Sequence, residues 1–199
     1  MVQRVSEEEL LDALTALFRA HGYAGTTLTR ISAATGLGRA SLYHRFPRGK
    51  ADMADEVVRR AEDWLKQHAL EPLHSERPPL ERLTEMGRRL SDFFDEGRRS
   101  CLFEVMSLNE PDSPVRDRVR SAMDAWIQGV EGTLIDEGVS PEVARERAED
   151  LVIRIQGSLV VARILGDRAP FKRIVATLAE QALDDAGDLG AIDAEARVT

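Results

Sequence analysis

Residues 26–53 read TTLTRISAATGLGRASLYHRFPRGKADM. The stretch predicts two short helices, over 28–35 and 39–46, with Thr27 capping the first and Gly36-Leu37-Gly38 making a tight turn between them. Pro47-Arg48-Gly49 ends the second, and a longer helix over about 50–69 begins at Lys50. Two short helices on a three-residue turn that contains glycine form a helix-turn-helix, an arrangement that lays its second helix in a DNA major groove. Ile31, Leu37, Leu42 and Phe46 are spaced to clamp the pair. Thr27, Thr29, Ser41, Tyr43 and His44 fall on the outside as hydrogen-bonding groups. Arg39 and Arg45 can reach phosphate, and Arg39 can reach a guanine edge through its forked guanidinium.

Charge first argues against such a partner, because the 199-residue chain carries a net charge of -8. The charge is unevenly spread, however. Between Ala13 and Ala51 there is no Asp or Glu, while Arg19, Arg30, Arg39, Arg45, Arg48 and Lys50 give that window +6. Residues 1–68 carry 10 basic and 9 acidic side chains; residues 69–199 carry 17 and 26. A small basic head on an acidic body can read a polyanion at a site, although it would not coat one indiscriminately.

Outward from the head, helical periodicity continues and strand-like alternation is absent. Ser6 and Glu9 form a capping box that starts a helix carrying Leu10, Leu14 and Leu17 on one face, ending near His21-Gly22. Residues 71–79 hold three prolines and mark a joint. Further helices are expected near 80–96, 100–108, 114–137, 141–166 and 170–186, with prolines near their starts and glycines near their ends.

The quoted stretch resembles the DNA-binding segment of TetR-type transcriptional repressors, whose usual form reads Thr-x-x-x-Ile-Ala, then Ala-Gly-Val-Ser, then Leu-Tyr-x-His-Phe, then Lys. The chain departs from it at Ser32 and Thr35, where Ala is usual, at Gly38, where Ser is usual, and at Arg45, where His is usual. The Phe-Pro-x-Gly-Lys spacing is one residue longer than the common form. With Ser-Cys-Leu at 100–102, it is similar to the LmrA/YxaF-like subgroup, often tied to small-molecule response. The resemblance implies an all-α fold: an N-terminal three-helix helix-turn-helix domain over 1–49, a C-terminal helical bundle for ligand binding and dimerisation over 50–187, and a flexible tail over 188–199. It also implies roles. Thr27 and Lys50 would hold phosphates at helix starts, Arg39, Ala40 and Ser41 would face bases, and Tyr43 and His44 would meet backbone or a base edge, with Arg45 beside them.

Residues 151–165 are apolar on nearly all sides (Leu151, Val152, Ile153, Ile155, Leu159, Val160, Val161, Ile164, Leu165), as in a helix buried on both faces. The next helix offers Ile174, Leu178 and Ala182. These residues, with Leu151, Ile155 and Leu159, are expected either to pair with a second copy in a four-helix interface or to form the chain's own core. A pocket between this pair and the head would be lined by Trp64, Phe94, Phe103, Glu104, Met106, Met123, Trp126, Ile127 and Gln156, with Phe93 and Leu134 as further interior candidates. Met and aromatic side chains suit adaptable small-molecule sites. Glu104, within an apolar run, is expected to serve as counter-ion to a cationic ligand or to pair with Arg154 or Arg163.

The expected partners are therefore double-stranded operator DNA, a second copy of the chain and a small hydrophobic or cationic effector, with no cofactor, no metal and no membrane. One cysteine, Cys101, excludes an intramolecular disulfide and a cysteine zinc cluster. No Gly-rich phosphate loop or His-Glu-x-x-His occurs, so no enzyme class is supported. The N-terminus shows no secretory pattern, and the expected location is the cytoplasm. An activator or a purely architectural DNA binder would share the same reading head.

Overall fold

Ser6 begins the first helix, α1 (Glu7–Gly25): its Oγ accepts from the Glu9 amide at 3.1 Å, and the Glu9 carboxylate accepts from the Ser6 amide at 2.8 Å. This computed structural model describes residues 5–107 and 114–184. Leu10, Leu14 and Phe18 form the buried face of α1. The expected stop near Gly22 is a kink. Gly22 takes φ 64, a left-handed value that suits glycine, and the chain then makes one more helical turn. Thr26 closes that turn. Fully buried, it donates through its hydroxyl to the Gly22 carbonyl at 2.7 Å.

Two short helices follow, α2 (Leu28–Thr35) and α3 (Arg39–Arg45), and then α4 (Lys50–Trp64). α4 does not stop. It widens into a π-helical segment, Leu65–Leu70, and tightens into a 3-10 turn, Glu71–His74, before the prolines. Beyond them run α5 (Pro79–Phe93), α6 (Leu102–Ser107), α7 (Pro114–Asp136), α8 (Pro141–Leu165) and α9 (Ala169–Leu183). The described residues include no strand, and the fold is all-α as expected.

α1 packs on α2, α4 and α6; α4 packs on α7; α8 lies between α7 and α9, and α9 closes onto α5. One apolar core runs from Leu10, Ile31 and Leu42 through Met53, Val57 and Leu83 to Trp126, Ile155 and Phe171. Arginine–carboxylate bridges tie elements across it. Arg82, 8% exposed, reaches Asp136 and the Leu73 carbonyl. Arg118 joins α7 to Asp55 and Glu62 on α4.

The connection from α5 to α6 is constrained. Asp95 and Glu96 both take positive φ, 49 and 52, unusual for residues with a side chain. Gly97 (φ 92) lies so close to Phe171 that a Cβ there would stand 2.9 Å from the Phe171 Cβ. Glu96 holds this turn to α9 by accepting from Arg168 at 2.6 Å and contacting Lys172 at 2.9 Å.

Residues 188–199, expected as a tail, lie outside the described residues. No helix of the described residues is long and apolar enough to cross a membrane.

Candidate nucleic-acid interface

The turn between α2 and α3 follows from its two glycines. Gly36 ends α2 in the left-handed conformation at φ 70, and its amide donates to the Ser32 carbonyl. Thr35 supports it from inside, donating to the Ile31 carbonyl at 2.8 Å and accepting from the Leu37 amide at 3.3 Å. Thr27 caps α2 as expected, accepting from the Arg30 amide at 3.2 Å. Gly38 starts α3 with no side-chain cap.

α3 has one buried residue. Leu42 is fully buried, with Ile31 on α2 also at zero exposure, while Leu37 and Phe46 are partly buried against the core. The other six residues of α3, Arg39, Ala40, Ser41, Tyr43, His44 and Arg45, are exposed. The side chains of Arg39, Ser41, Tyr43 and His44 make no hydrogen bond to a described residue, which leaves their polar atoms available. Arg45 reaches back to the Val5 carbonyl at 3.5 Å.

Tyr43 is positioned by a residue that the sequence marked only as part of the turn after α3. Gly49, buried and at φ 66, sits against the ring, and a Cβ there would approach the Tyr43 Cε1 to 3.0 Å. The longer Phe-Pro-x-Gly-Lys spacing was the only signal of it. Lys50, expected to meet phosphate, is engaged within the chain. Its Nζ donates to the Tyr23 carbonyl at 2.9 Å and lies 4.2 Å from the centre of the Tyr23 ring.

The basic window stays basic in three dimensions. Of its six cations only Arg48 meets a carboxylate, that of Asp52, among the described residues. Arg30 donates to the Gly25 carbonyl at 2.6 Å, and the Arg39 side chain has no partner among the described residues.

The residues expected to line an effector pocket occupy the centre of the body. Phe94, Phe103, Met106 and Trp126 are buried, and Trp64, Met123, Ile127 and Gln156 are half-buried. Trp64 stacks on Phe93 at 4.0 Å and Phe93 meets Phe94 edge-on, so these rings pack against one another. Glu104 takes the second of its two expected roles: its carboxylate lies 3.5 Å from Arg163, so it is already paired.

The expected interface residues are also largely used within the chain. Ile155 and Leu159 point into the core, and Leu178 packs against Gly87 of α5. Leu151, Ile174, Leu178 and Ala182 line a groove between α8 and α9, bridged by an Arg154–Gln181 hydrogen bond at 3.0 Å. The large apolar side chains that the C-terminal half of α8 leaves uncovered form another set: Ile153, Val161, Ile164 and Leu165, at 64, 42, 75 and 65% exposure.

Comparison with known proteins agrees with this geometry. Residues 10–57 match the family described as bacterial regulatory proteins, tetR family, and residues 79–177 match the C-terminal domain described as transcriptional regulator LmrA/YxaF-like. The HTH-type transcriptional regulator LmrA of Bacillus subtilis is 26% identical over 178 residues, covering 85% of this chain and 92% of that protein. The HTH-type transcriptional repressor KstR2 of Mycobacterium tuberculosis is 39% identical over 75 residues, 38% of this chain and 37% of its own. A TetR transcriptional regulator from Legionella pneumophila superimposes with a TM-score of 0.77 at 18% identity, covering 90% of this chain and 99% of that one.

Proposed function

Since the chain belongs to the TetR family of helix-turn-helix transcriptional regulators, with a C-terminal half of the LmrA/YxaF-like type, we propose that it acts in the cytoplasm as a homodimeric repressor, released from a palindromic operator by a small molecule. The observation that carries the reading is α3: six exposed residues on one buried anchor, set in the acid-free part of an acidic chain. On this reading residues 1–49 form the reading head and 50–187 the body. Arg39, Ala40 and Ser41 address base edges, Tyr43, His44 and Arg45 address backbone and flanking bases, and Thr27 and Lys50 hold phosphates at the starts of α2 and α4. Lys50 would exchange the Tyr23 carbonyl for a phosphate oxygen on binding.

Two heads related by a two-fold axis read half-sites about one helical turn apart or a multiple of it. The uncovered stripe of Ile153, Val161, Ile164 and Leu165 supports pairing through α8, with the α8–α9 groove beside it. A ligand bound in the body would favour a head spacing that no longer fits successive grooves, lowering operator affinity by its differential affinity for the two arrangements.

Selection of genomic fragments bound by the purified chain, followed by gel-shift titration, tests this. Enriched fragments should share an inverted repeat, and an effector should weaken the shift. Enrichment of unpaired half-sites would overturn the dimeric reading. A bound ligand that leaves operator affinity unchanged would overturn release.

A further inference from the structure

Three arginines that bridge elements of the body each meet at least one carboxylate: Arg82 with Asp136, Arg118 with Asp55 and Glu62, Arg145 with Glu149 and Glu131. Arg19 does not follow that pattern. Its guanidinium lies over the Phe93 ring, 5.3 Å from the centroid, and it makes no hydrogen bond or ion pair with any described residue. Its Nε is sealed from solvent with no acceptor. A guanidinium offers five donors and accepts nothing, so a buried unsatisfied edge is a direct cost to the fold. The charged neighbour that it feels is Arg99, of the same sign; burial and that repulsion together pull the Arg19 pKa below the usual arginine range. Arg99, exposed on the constrained α5–α6 connection, has no side-chain partner among the described residues either. The chain has 35 Asp and Glu, so two neighbouring cations without an acid do not reflect a shortage of acids.

The groups around Arg19 suit an oxyanion better than a cation. Phe93 stacks on Trp64 at 4.0 Å and Trp64 on His68 at 5.0 Å, so the ring faces are taken up within the stack, which presents apolar ring edges beside Arg19. The Gln156 amide donates to the Cys101 sulfur at 3.4 Å, a weak acceptor that an oxygen could displace. Burial pushes the Cys101 thiol pKa up, so no thiolate competes for Arg19. Glu104, the acid expected to attract a cation, is already paired with Arg163.

We infer that the effector is a small organic carboxylate, held by Arg19 with Arg99 and the Gln156 amide beside the Phe93–Trp64 stack, where α1 faces the α5–α6 connection. This rests on the effector-release reading and replaces the hydrophobic or cationic ligand expected from sequence. A carboxylate meets a guanidinium through two parallel hydrogen bonds, one of which would give the Arg19 Nε the acceptor that it lacks. Arg19 lies one turn before the Gly22 kink in the helix that packs on α2, and Arg99 lies three residues after the Glu96 tie to α9. A bridging anion would thus draw together the helix that supports the head and the segment fastened to α9.

Calorimetric titration of the full chain with benzoate and octanoate, each against its neutral amide, and with benzylamine, tests the site. At least one carboxylate should bind about tenfold or more tightly than its amide, and Arg19→Gln should abolish that preference. Arg19→Gln should also melt no lower than the parent without ligand, because it removes an uncompensated charge. The exposed Arg99→Gln should weaken the same carboxylate without disturbing the fold. Equal binding of both carboxylates and their amides, tighter binding of benzylamine, a preference that survives Arg19→Gln, or a marked loss of melting temperature in Arg19→Gln would each overturn the inference. A gel shift separates it from the parent reading. A carboxylate bound through Arg19 that leaves the operator complex intact defeats release and keeps the site; release by a neutral or cationic compound without Arg19-dependent binding defeats the site and keeps release.

Discussion

Tyr43 is 47% exposed on α3, and the ring rests on a glycine. Gly49→Ala would put a methyl group 3.0 Å from the Tyr43 Cε1 and would force a residue with a side chain to φ 66. The strain should cost about 1–2 kcal/mol, read as a lower melting temperature, and the displaced ring should weaken the operator gel shift as well. Tyr43→Ala should weaken the shift with only a small change in the melt, since about half of the residue is already exposed. Lys50→Ala should move both measurements. Loss of its bond to the Tyr23 carbonyl and its place over the Tyr23 ring should cost about 1 kcal/mol, and loss of a phosphate contact should reduce the salt slope of binding by about one. An unchanged salt slope would remove Lys50 from the interface. Much of the reading head was legible in sequence, because turn glycines, a capping Thr and clamping apolar residues act over three or four positions. Gly49 and Thr26 were not, because what they touch is fixed by how the loop after α3 and the kink in α1 fold back in space.

Helix starts and stops were also legible, for they are written in local chemistry: the Ser6–Glu9 box, the prolines opening α5, α8 and α9, and Gly166 closing α8 in the left-handed conformation. Gly22 was read as an end and is a kink, since one left-handed residue does not prevent the next from re-entering the helix. The π-helical segment after α4 left no trace in composition, because it differs from an α-helix only by which carbonyl each amide selects. On α5, Glu85 accepts from both Arg88 and Arg89, which pushes its pKa down from 4.5 to about 2. A carboxylate whose folded pKa is depressed adds stability that is full above its unfolded value and is lost as pH falls through the folded one. Melting temperatures recorded from neutral pH downward should therefore show the parent above Glu85→Gln, with the gap closing between about 4.5 and about 2. A gap that stays constant to the acid end would show that the bridges hold no differential charge energy.

At the scale of the whole molecule, the least legible feature was which side of α8 faces outward. Leu151, Ile155 and Leu159 turn inward and Ile153, Val161, Ile164 and Leu165 outward, and both sets are large and aliphatic, so periodicity alone does not rank them. The contacts of α8 with α7 and α9 decide the matter. The two faces should answer differently to substitution. Leu159→Ala, inside the core, should cost about 2–5 kcal/mol. Ile164→Glu, 75% exposed, should leave the melt of the separated chain intact and convert a sedimenting dimer to monomer. A dimer that survives both Ile164→Glu and Ile153→Glu would move the interface off this face. The outward stripe also bears on how much of the protein a cell must make. If two chains must close over it before DNA can be read, then below the assembly threshold operator occupancy follows the square of protomer concentration, and halving synthesis cuts occupancy about fourfold. Those four side chains would turn a graded change in gene dosage into a steep change in transcription.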